Sequence, residues 1–163
     1  MLAKLHERRG ALRDESGFTL IELLVVLIII GVLLAIAIPS YLGFQKSAQQ
    51  TAAASDVRSA IPDVEEYYND NNETYAGGTA MSAAYLKSQY DAGLQVSNAG
   101  SPGIVTVLAS TANDTATGAA AGQEYCISAV DAGQWSYVAG PGGKVETKQT
   151  SDGCAGWTEG VSP

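Results

Sequence analysis

The sequence has little of what catalysis and metal binding require, because it contains a single histidine, His6, and only two cysteines. Ser/His/Asp and Cys/His catalytic sets need an imidazole beside the nucleophile, and zinc sites need more nitrogen and sulfur ligands than this chain offers. The adjacent pair Glu65-Glu66 points to different sides of a helix, which is typical of a solvated face. We therefore predict that the protein is not an enzyme and binds no metal or cofactor.

Positive charge is also scarce, since nine Lys and Arg stand against seventeen Asp and Glu, for a net charge of −8. Phosphate binding needs clustered Lys and Arg, so nucleic acid is not predicted as a partner. An acidic body of this kind fits an exterior that faces water. Nearly half of the cations lie in the first seventeen residues, at Lys4, Arg8, Arg9 and Arg13.

One long apolar run follows that charged leader, and Glu22 is its single charged residue. As a helix, Phe18–Ile38 would extend roughly 30 Å, about the hydrocarbon thickness of a bilayer. The cations that precede the run predict that residues 1–17 lie in the cytoplasm and that the chain from Tyr41 onward lies outside. A single-pass membrane protein is the expected topology.

Two other interpretations of the run were weighed. A buried core helix would need apolar residues around it, and the rest of the chain has few. A secretory signal peptide would carry a small-residue cleavage site after the apolar segment. Here a small residue, Gly17, precedes the segment, and Pro39-Ser40-Tyr41 after it is not a site of the Ala-x-Ala type.

The residues Gly17-Phe18-Thr19-Leu20-Ile21-Glu22-Leu23-Leu24-Val25-Val26 resemble the prepilin cleavage and methylation signature of the type IV pilin superfamily. That family includes type IV pilins and the pseudopilins of type II secretion. The resemblance implies that a prepilin peptidase cuts between Gly17 and Phe18 and that the new amine of Phe18 is methylated. It also implies that Gly31 and Pro39 loosen the helix, and that an assembly platform in the cytoplasmic membrane polymerises the subunit.

Glu22 can also be considered on physical grounds. A carboxylate inside a membrane helix costs roughly 2.5–3.5 kcal/mol on insertion scales and usually marks function. After cleavage the amine of Phe18 would lie one helical turn away, so it could pair with Glu22 of the same chain or of a neighbour. The resemblance implies the intermolecular pair, which sets the register of packed subunits. The alternative is a Glu that merely helps the helix to start.

The remaining chain predicts an α+β protein with a long helical stalk packed on a small antiparallel sheet, and the resemblance implies the type IV pilin fold. Kinks are expected near Pro39 and Pro62, and a break into two helices at the latter was considered. Apolar stalk positions recur at helical spacing, and the opposite face carries Asp56, Arg58, Asp63 and Glu66. The predicted division is a leader at 1–17, a transmembrane or filament-core helix at 18–40, an amphipathic stalk at 41–70 and a globular head at 71–163.

The head is predicted from short runs bounded by turn residues. A short helix is expected at Met81–Tyr90, and Asp131-Ala132-Gly133 is expected to be a hairpin turn. The predicted strands are Ile104–Ser110, Gln123–Val130, Gln134–Ala139 and Lys144–Thr147. The sheet is expected to face the stalk with Val105, Val107, Tyr125, Ile127, Trp135 and Tyr137. Thr111–Gly122 is predicted to be a loop.

Cys126 and Cys154 are the two cysteines. Outside the membrane they can form a disulfide, and the residues alone leave two free thiols or half of a metal site as alternatives. Type IV pilins often fix their C-terminal region with such a bond, so the resemblance implies the disulfide.

The resulting function is that of a pilin, a self-assembling subunit of an extracellular filament that starts as a membrane-inserted precursor. A pseudopilin of type II secretion is the alternative, followed by a membrane-anchored binding domain that never polymerises. Cleavage between Gly17 and Phe18 together with Glu22 favours a filament subunit, since a simple anchor needs neither.

Overall fold

The computed structural model describes residues 17–97, 101–110, 120–148, 151–155 and 157. The leader as far as residue 16 and most of the predicted loop 111–122 therefore lie outside the described residues. The chain divides into two compact units, Met1–Leu42 and Gly43–Pro163, with one helix beginning in the first and ending in the second. The elements are α1 (Leu20–Asp70), α2 (Ala83–Gln89), β1 (Gly103–Ala109), β2 (Tyr125–Asp131), β3 (Gln134–Gly140) and β4 (Glu146–Lys148).

The first unit is the apolar part of α1. All its described side chains, from Gly17 to Leu42, are exposed. Among the described residues, α1 is long and apolar enough to cross a membrane, judged by length and composition. Such a continuous apolar surface is far larger than the patches that soluble monomers expose, so it requires lipid or other protein chains around it.

Helix α1 runs through both prolines without interruption. Pro39 therefore does not end the helix, and the break into two helices at Pro62 is not found. A proline removes one backbone hydrogen bond and costs about 3 kcal/mol in a helix interior. On either side of Pro62 the helix packs on the same core through Val57 and Val64, which holds both halves in place. Kinks at the two prolines stay a prediction.

The second unit is an antiparallel sheet with strand order β1-β2-β3-β4, and α1 packs on one face of it. The predicted α+β fold, with a long N-terminal helix on a small sheet, is confirmed. The turn between β2 and β3 consists of Ala132 and Gly133, both with positive φ, at 46° and 81°. Two such residues make the type I′ geometry that matches the twist of a hairpin.

The core between α1 and the sheet contains small, branched and aromatic side chains. From the sheet it includes Ile104, Val107, Tyr125, Ile127 and Val138. The predicted sheet face is thus confirmed for Val107, Tyr125 and Ile127.

Three other members of the predicted helix-facing set are placed differently. Tyr137 packs on the other side of the sheet, in a cluster with the disulfide. Trp135 lies in the same strand, two residues before Tyr137, and is half-buried. Val105 is exposed. The prediction of which β3 residues face α1 was wrong by one residue. Ser136 and Val138 face α1, and the large aromatic residues point away. A sheet covered on both faces gives no simple alternation from which to choose the phase.

One residue expected on the solvated face of the stalk is buried. Asp63 is 8% exposed and belongs to the buried stripe of α1 with Ala60, Val64 and Tyr67. Positions 60, 63, 64 and 67 share a helix face because their spacing is three or four residues. The sequence pattern assigned Asp63 to the outside on its charge alone.

The segment between stalk and sheet is a connector, Ala83–Ser97. It begins with α2, whose N-cap Ser82 accepts a hydrogen bond from the backbone N–H of Tyr85 at 3.2 Å. Leu86 and Leu94 are buried in the main core. The far end joins the edge of the sheet, where the N–H of Ser97 donates to the carbonyl of Ile104 at 2.9 Å. The predicted short helix is confirmed, with shorter bounds.

Candidate processing and assembly site

The start of α1 is a reciprocal capping arrangement of Thr19 and Glu22. The backbone N–H of Thr19 donates to Oε2 of Glu22 at 2.9 Å, and the Thr19 hydroxyl donates to the same oxygen at 2.6 Å. In return, the N–H of Glu22 donates to Oγ1 of Thr19 at 3.3 Å. Helix α1 begins at Leu20, so Thr19 is the N-cap and Glu22 the third residue of the helix.

This geometry gives Glu22 a partner in its own chain before any cleavage. The pattern Thr-x-x-Glu ahead of an apolar run is the sequence signal of a capping box, and it was available in the sequence. The sequence analysis considered help with the helix start only as the alternative, and it did not identify Thr19. In the uncleaved chain, the hydrogen bonds show Glu22 capping the helix. The ion pair between Glu22 and a free Phe18 amine stays a prediction.

The bond between Gly17 and Phe18 lies directly before this cap and outside any regular element. The side chain of Phe18 is 88% exposed. A Cβ built on Gly17 would meet no atom of the described residues within 4 Å. The bond is therefore sterically open in the folded chain, as a peptidase substrate must be. Cleavage there stays a prediction.

The two residues predicted to loosen the helix lie inside α1. A Cβ on Gly31 would also meet no atom within 4 Å, so no close contact in the described chain requires glycine there. The proline at position 39 has no N–H to donate, and the neighbouring Ser40 hydroxyl donates to the carbonyl of Ile36 at 3.3 Å. The helical partner of an N–H at position 39 would be the carbonyl of Ala35, so this bond does not replace the missing one. Loosening of Gly31–Pro39 stays a prediction.

The C-terminal region is fixed to the sheet by a disulfide between Cys126 and Cys154, which agrees with the pairing that the resemblance implied. Both cysteines are buried beside Tyr137 and Trp157. Asp152 adds a polar clamp that the sequence analysis missed. Its Oδ1 accepts from the N–H of Cys154 at 2.8 Å, and its Oδ2 accepts from the Thr106 hydroxyl at 2.8 Å.

Removing this disulfide should destabilise the second unit strongly. The bond joins residues 28 apart, and closing a loop of that length is worth about 3.5 kcal/mol in the chain-entropy model. We expect Cys126→Ala/Cys154→Ala to lower the melting temperature of the full-length protein in detergent by about 10 °C, measured by near-ultraviolet circular dichroism. Wild-type protein treated with a reductant should match the variant. A fall of less than about 2 °C in both would contradict the role assigned to the bond.

The sequence was compared with known proteins. A family model described as the prokaryotic N-terminal methylation motif matches residues 12–38. Fimbrial protein EcpC of Eikenella corrodens is 38% identical over 93 residues, which cover 56% of this chain and 61% of that protein. The type IV wide pilus major component PilA4 of Thermus thermophilus is 39% identical over 77 residues, 47% of this chain and 59% of that protein. Type II secretion system core protein G of Aeromonas hydrophila is 38% identical over 60 residues, 37% and 42% of the two chains.

No solved structure gave a significant match. The chain spans about three fifths of the length of the first two curated relatives. The methylation-motif match includes Gly17, Phe18 and Glu22, the residues of the cleavage bond and the helix cap. It puts the N-terminal segment in the class of prokaryotic proteins that carry this motif. Together with the similarity to pilus proteins, it supports the predicted resemblance to the type IV pilin and pseudopilin superfamily.

Proposed function

We propose that this protein is a pilin, the structural subunit of a type IV pilus-like extracellular filament. The observation that carries the proposal is a processing motif at the start of a helix whose apolar first part, as far as Leu42, is entirely exposed. A helix of this kind is suited to lipid before assembly and to other copies of itself afterwards, because both surroundings are apolar. Relatives named as pilus components support polymerisation into a filament.

Processing precedes assembly in this account. A prepilin peptidase removes residues 1–17 by cutting the open bond between Gly17 and Phe18, and the amine of Phe18 is then methylated. The charged leader stays on the cytoplasmic side because it holds Lys4, Arg8, Arg9 and Arg13, and the chain from Tyr41 onward lies outside. An assembly platform in the cytoplasmic membrane then moves the subunit from lipid into the filament at the cell surface.

Each predicted segment has a place in this cycle. Residues 18–40 form the membrane anchor and later the filament core, 41–70 the stalk, and 71–163 the head. The contribution of the chain is structural and not catalytic, which the names of the pilin relatives support. A disulfide-fixed head suits the oxidising conditions outside the cytoplasm.

A pseudopilin of type II secretion is the second candidate, favoured by the similarity to core protein G over 60 residues. The two candidates share the motif, the helix and the assembly chemistry. They differ in whether the filament extends beyond the cell surface. The longer matches are to pilus proteins, which favours the pilin.

Electron microscopy of sheared cell-surface material tests the choice. Cells with the gene should yield filaments that contain this subunit, a deletion strain should lack them, and re-expression should restore them. If the deletion strain keeps its surface filaments but loses secreted enzymes, the pseudopilin assignment replaces the pilin assignment.

Substituting Gly31 tests the proposed loosening of the helix. The Cβ of Gly31→Ala meets nothing in the folded chain, and alanine favours an interior helix position by about 1 kcal/mol over glycine. We expect filaments of normal yield that extend less under a pulling force in optical tweezers. Ala37→Gly is the reciprocal control and should extend more easily. Unchanged extension in both variants would contradict a role for helix melting.

A further inference from the structure

Asp63 is an acid within the packed interior of the second unit. It is 8% exposed, and its Oδ2 atom is buried with no hydrogen-bond partner among the described residues. Its helical neighbours Ala60, Val64 and Tyr67 are fully buried core residues. An ionised carboxylate in such a position loses hydration without gaining a donor, which costs free energy. Every other position of this stripe of α1 is filled by an alanine, a valine or a tyrosine.

The groups around Asp63 do not compensate that charge. Glu66 lies one turn further along α1, and Asp91 lies in the connector directly after α2, both at the surface. Burial first, and then the negative charges of Asp91 and Glu66, raise the pKa of Asp63 above its ordinary value. The cation of α2 is Lys87, and its Nζ donates to the carbonyl of Leu94 at 2.6 Å.

Two further titratable groups lie on the same side of the connector and are engaged elsewhere. The Tyr90 hydroxyl donates to Oδ2 of Asp70 at 3.3 Å. The Tyr67 hydroxyl donates to the carbonyl of Thr79. The sheet face opposite this part of α1 contributes apolar side chains to the core. The buried carboxyl of Asp63 therefore has two surface carboxylates, Asp91 and Glu66, as its charged neighbours.

We propose that Asp63 is a proton-binding site that couples the packing of the connector against α1 to the pH outside the cell. A protonated carboxyl carries an O–H donor, and both Asp91 and Glu66 offer carboxylate acceptors for it. Binding a proton removes the buried charge and its repulsion from Asp91, so the connector is held more tightly. Loss of the proton restores both the buried charge and its repulsion from Asp91, so the packing of the connector is weakened.

The sign of the effect follows from the direction of the shift. Because the pKa of Asp63 is higher in the folded than in the unfolded protein, the folded state binds the proton more strongly. The penalty is fully present above the folded pKa and is relieved as the pH falls towards the ordinary value near 4. Asp56 has its pKa raised by burial and by Asp131, so it adds a background of the same sign. A substitution at Asp63 separates the two contributions.

Asp63→Asn tests the proposal, because the amide has the shape of the protonated acid and keeps a donor. Full-length protein in detergent would be melted at neutral pH and near pH 4, with the near-ultraviolet signal of Trp135 and Trp157 as the readout. We expect the variant to melt about 3 °C or more above wild type at neutral pH, and at the same temperature as wild type near pH 4. Glu73→Gln changes the same charge at an exposed position and should leave both temperatures unchanged.

Hydrogen exchange localises the effect to the connector. The amides of Tyr90, Asp91 and Leu94 donate to carbonyls of Leu86 and Asp91. Corrected for intrinsic rates, their protection in wild type should rise at least about threefold from neutral to mildly acidic pH, and it should not change in Asp63→Asn. Amides of β2 serve as the internal reference. Equal changes in β2 and the connector would overturn the coupling.

Two other results would overturn the proposal. The first is an Asp63→Asn protein that melts below wild type at neutral pH with the same pH dependence, since the carboxylate would then be needed as such. The second is a rise in the melting temperature of wild type, but not of Asp63→Asn, when calcium chloride is added at neutral pH. That result would assign the carboxylates to a cation and not to a proton.

Discussion

Glu22→Ala is expected to reduce the yield of sheared filaments at least tenfold while the precursor is still cleaved and inserted in the membrane. In the filament core the amine of Phe18 would lack its countercharge, and leaving one member of a buried ion pair costs about 3–5 kcal/mol. Each 1.4 kcal/mol is about a factor of ten in an association constant. The measurement is the amount of subunit in the sheared fraction, relative to the processed subunit in the membrane.

The capping geometry makes a sharper control available. Glu22→Gln keeps an oxygen that accepts from the N–H and hydroxyl of Thr19, but it has no charge. If the ion pair drives assembly, Glu22→Gln should fail as severely as Glu22→Ala. If Glu22→Gln assembles normally while Glu22→Ala does not, the role of Glu22 is to cap the helix. That result would contradict the ion pair with the Phe18 amine. Loss of a cap alone costs about 0.5–2 kcal/mol.

Thr19 provides the matched test from the other side of the cap. Thr19→Val removes the hydroxyl donor and leaves the backbone N–H bond to Glu22 in place. Thr19→Ser retains both the hydroxyl donor and the backbone N–H bond to Glu22. The ion-pair account therefore predicts a mild loss of filaments in Thr19→Val and none in Thr19→Ser.

Gly17→Val is expected to block processing, with at least a tenfold fall in the cleaved fraction and no filaments. The side chain has open space in the folded chain, since a Cβ on Gly17 meets no atom within 4 Å. The expected defect would therefore arise in the peptidase site and not from misfolding. Without cleavage, Phe18 keeps an amide nitrogen, so the ion pair with Glu22 cannot form. The measurement is the ratio of precursor to mature subunit in membranes, by mass spectrometry.

The two sets of variants lose filaments at different steps, which keeps them distinguishable. Gly17→Val should accumulate precursor, whereas Glu22→Ala should accumulate mature subunit. Precursor of Gly17→Val found in intact filaments would contradict the requirement for a free amine. Normal cleavage of Gly17→Val would contradict the assigned bond.

The sequence predicted the long helix and the sheet because their signals are local. An unbroken apolar run, strand-length segments and the Ala132-Gly133 turn can be recognised from composition and spacing alone. A break at Pro62 looked possible because the missing hydrogen bond is visible in the sequence, but α1 continues through Pro62 and packs on the core on both sides of it. Local penalties were visible in the sequence, whereas the tertiary contacts that offset them were not.

The other errors came from partners distant in the sequence. Trp135 and Tyr137 are the largest side chains of β3, yet they face away from α1, because the C-terminal residues bring a second apolar cluster to that side. Asp63 looked solvated because it is charged, but it belongs to the buried stripe of α1. At the candidate site the residues Gly17, Phe18 and Glu22 followed from the family motif, while the cap with Thr19 was identified from the geometry although its Thr-x-x-Glu pattern stands in the sequence.

The most direct test is the N-terminal residue of the subunit in sheared, purified surface filaments. Terminal sequencing with mass spectrometry identifies both the residue and its methylation. The account predicts filaments in which this subunit begins at N-methylated Phe18. A subunit that still begins at Met1 would contradict the assignment of this protein as a processed filament subunit.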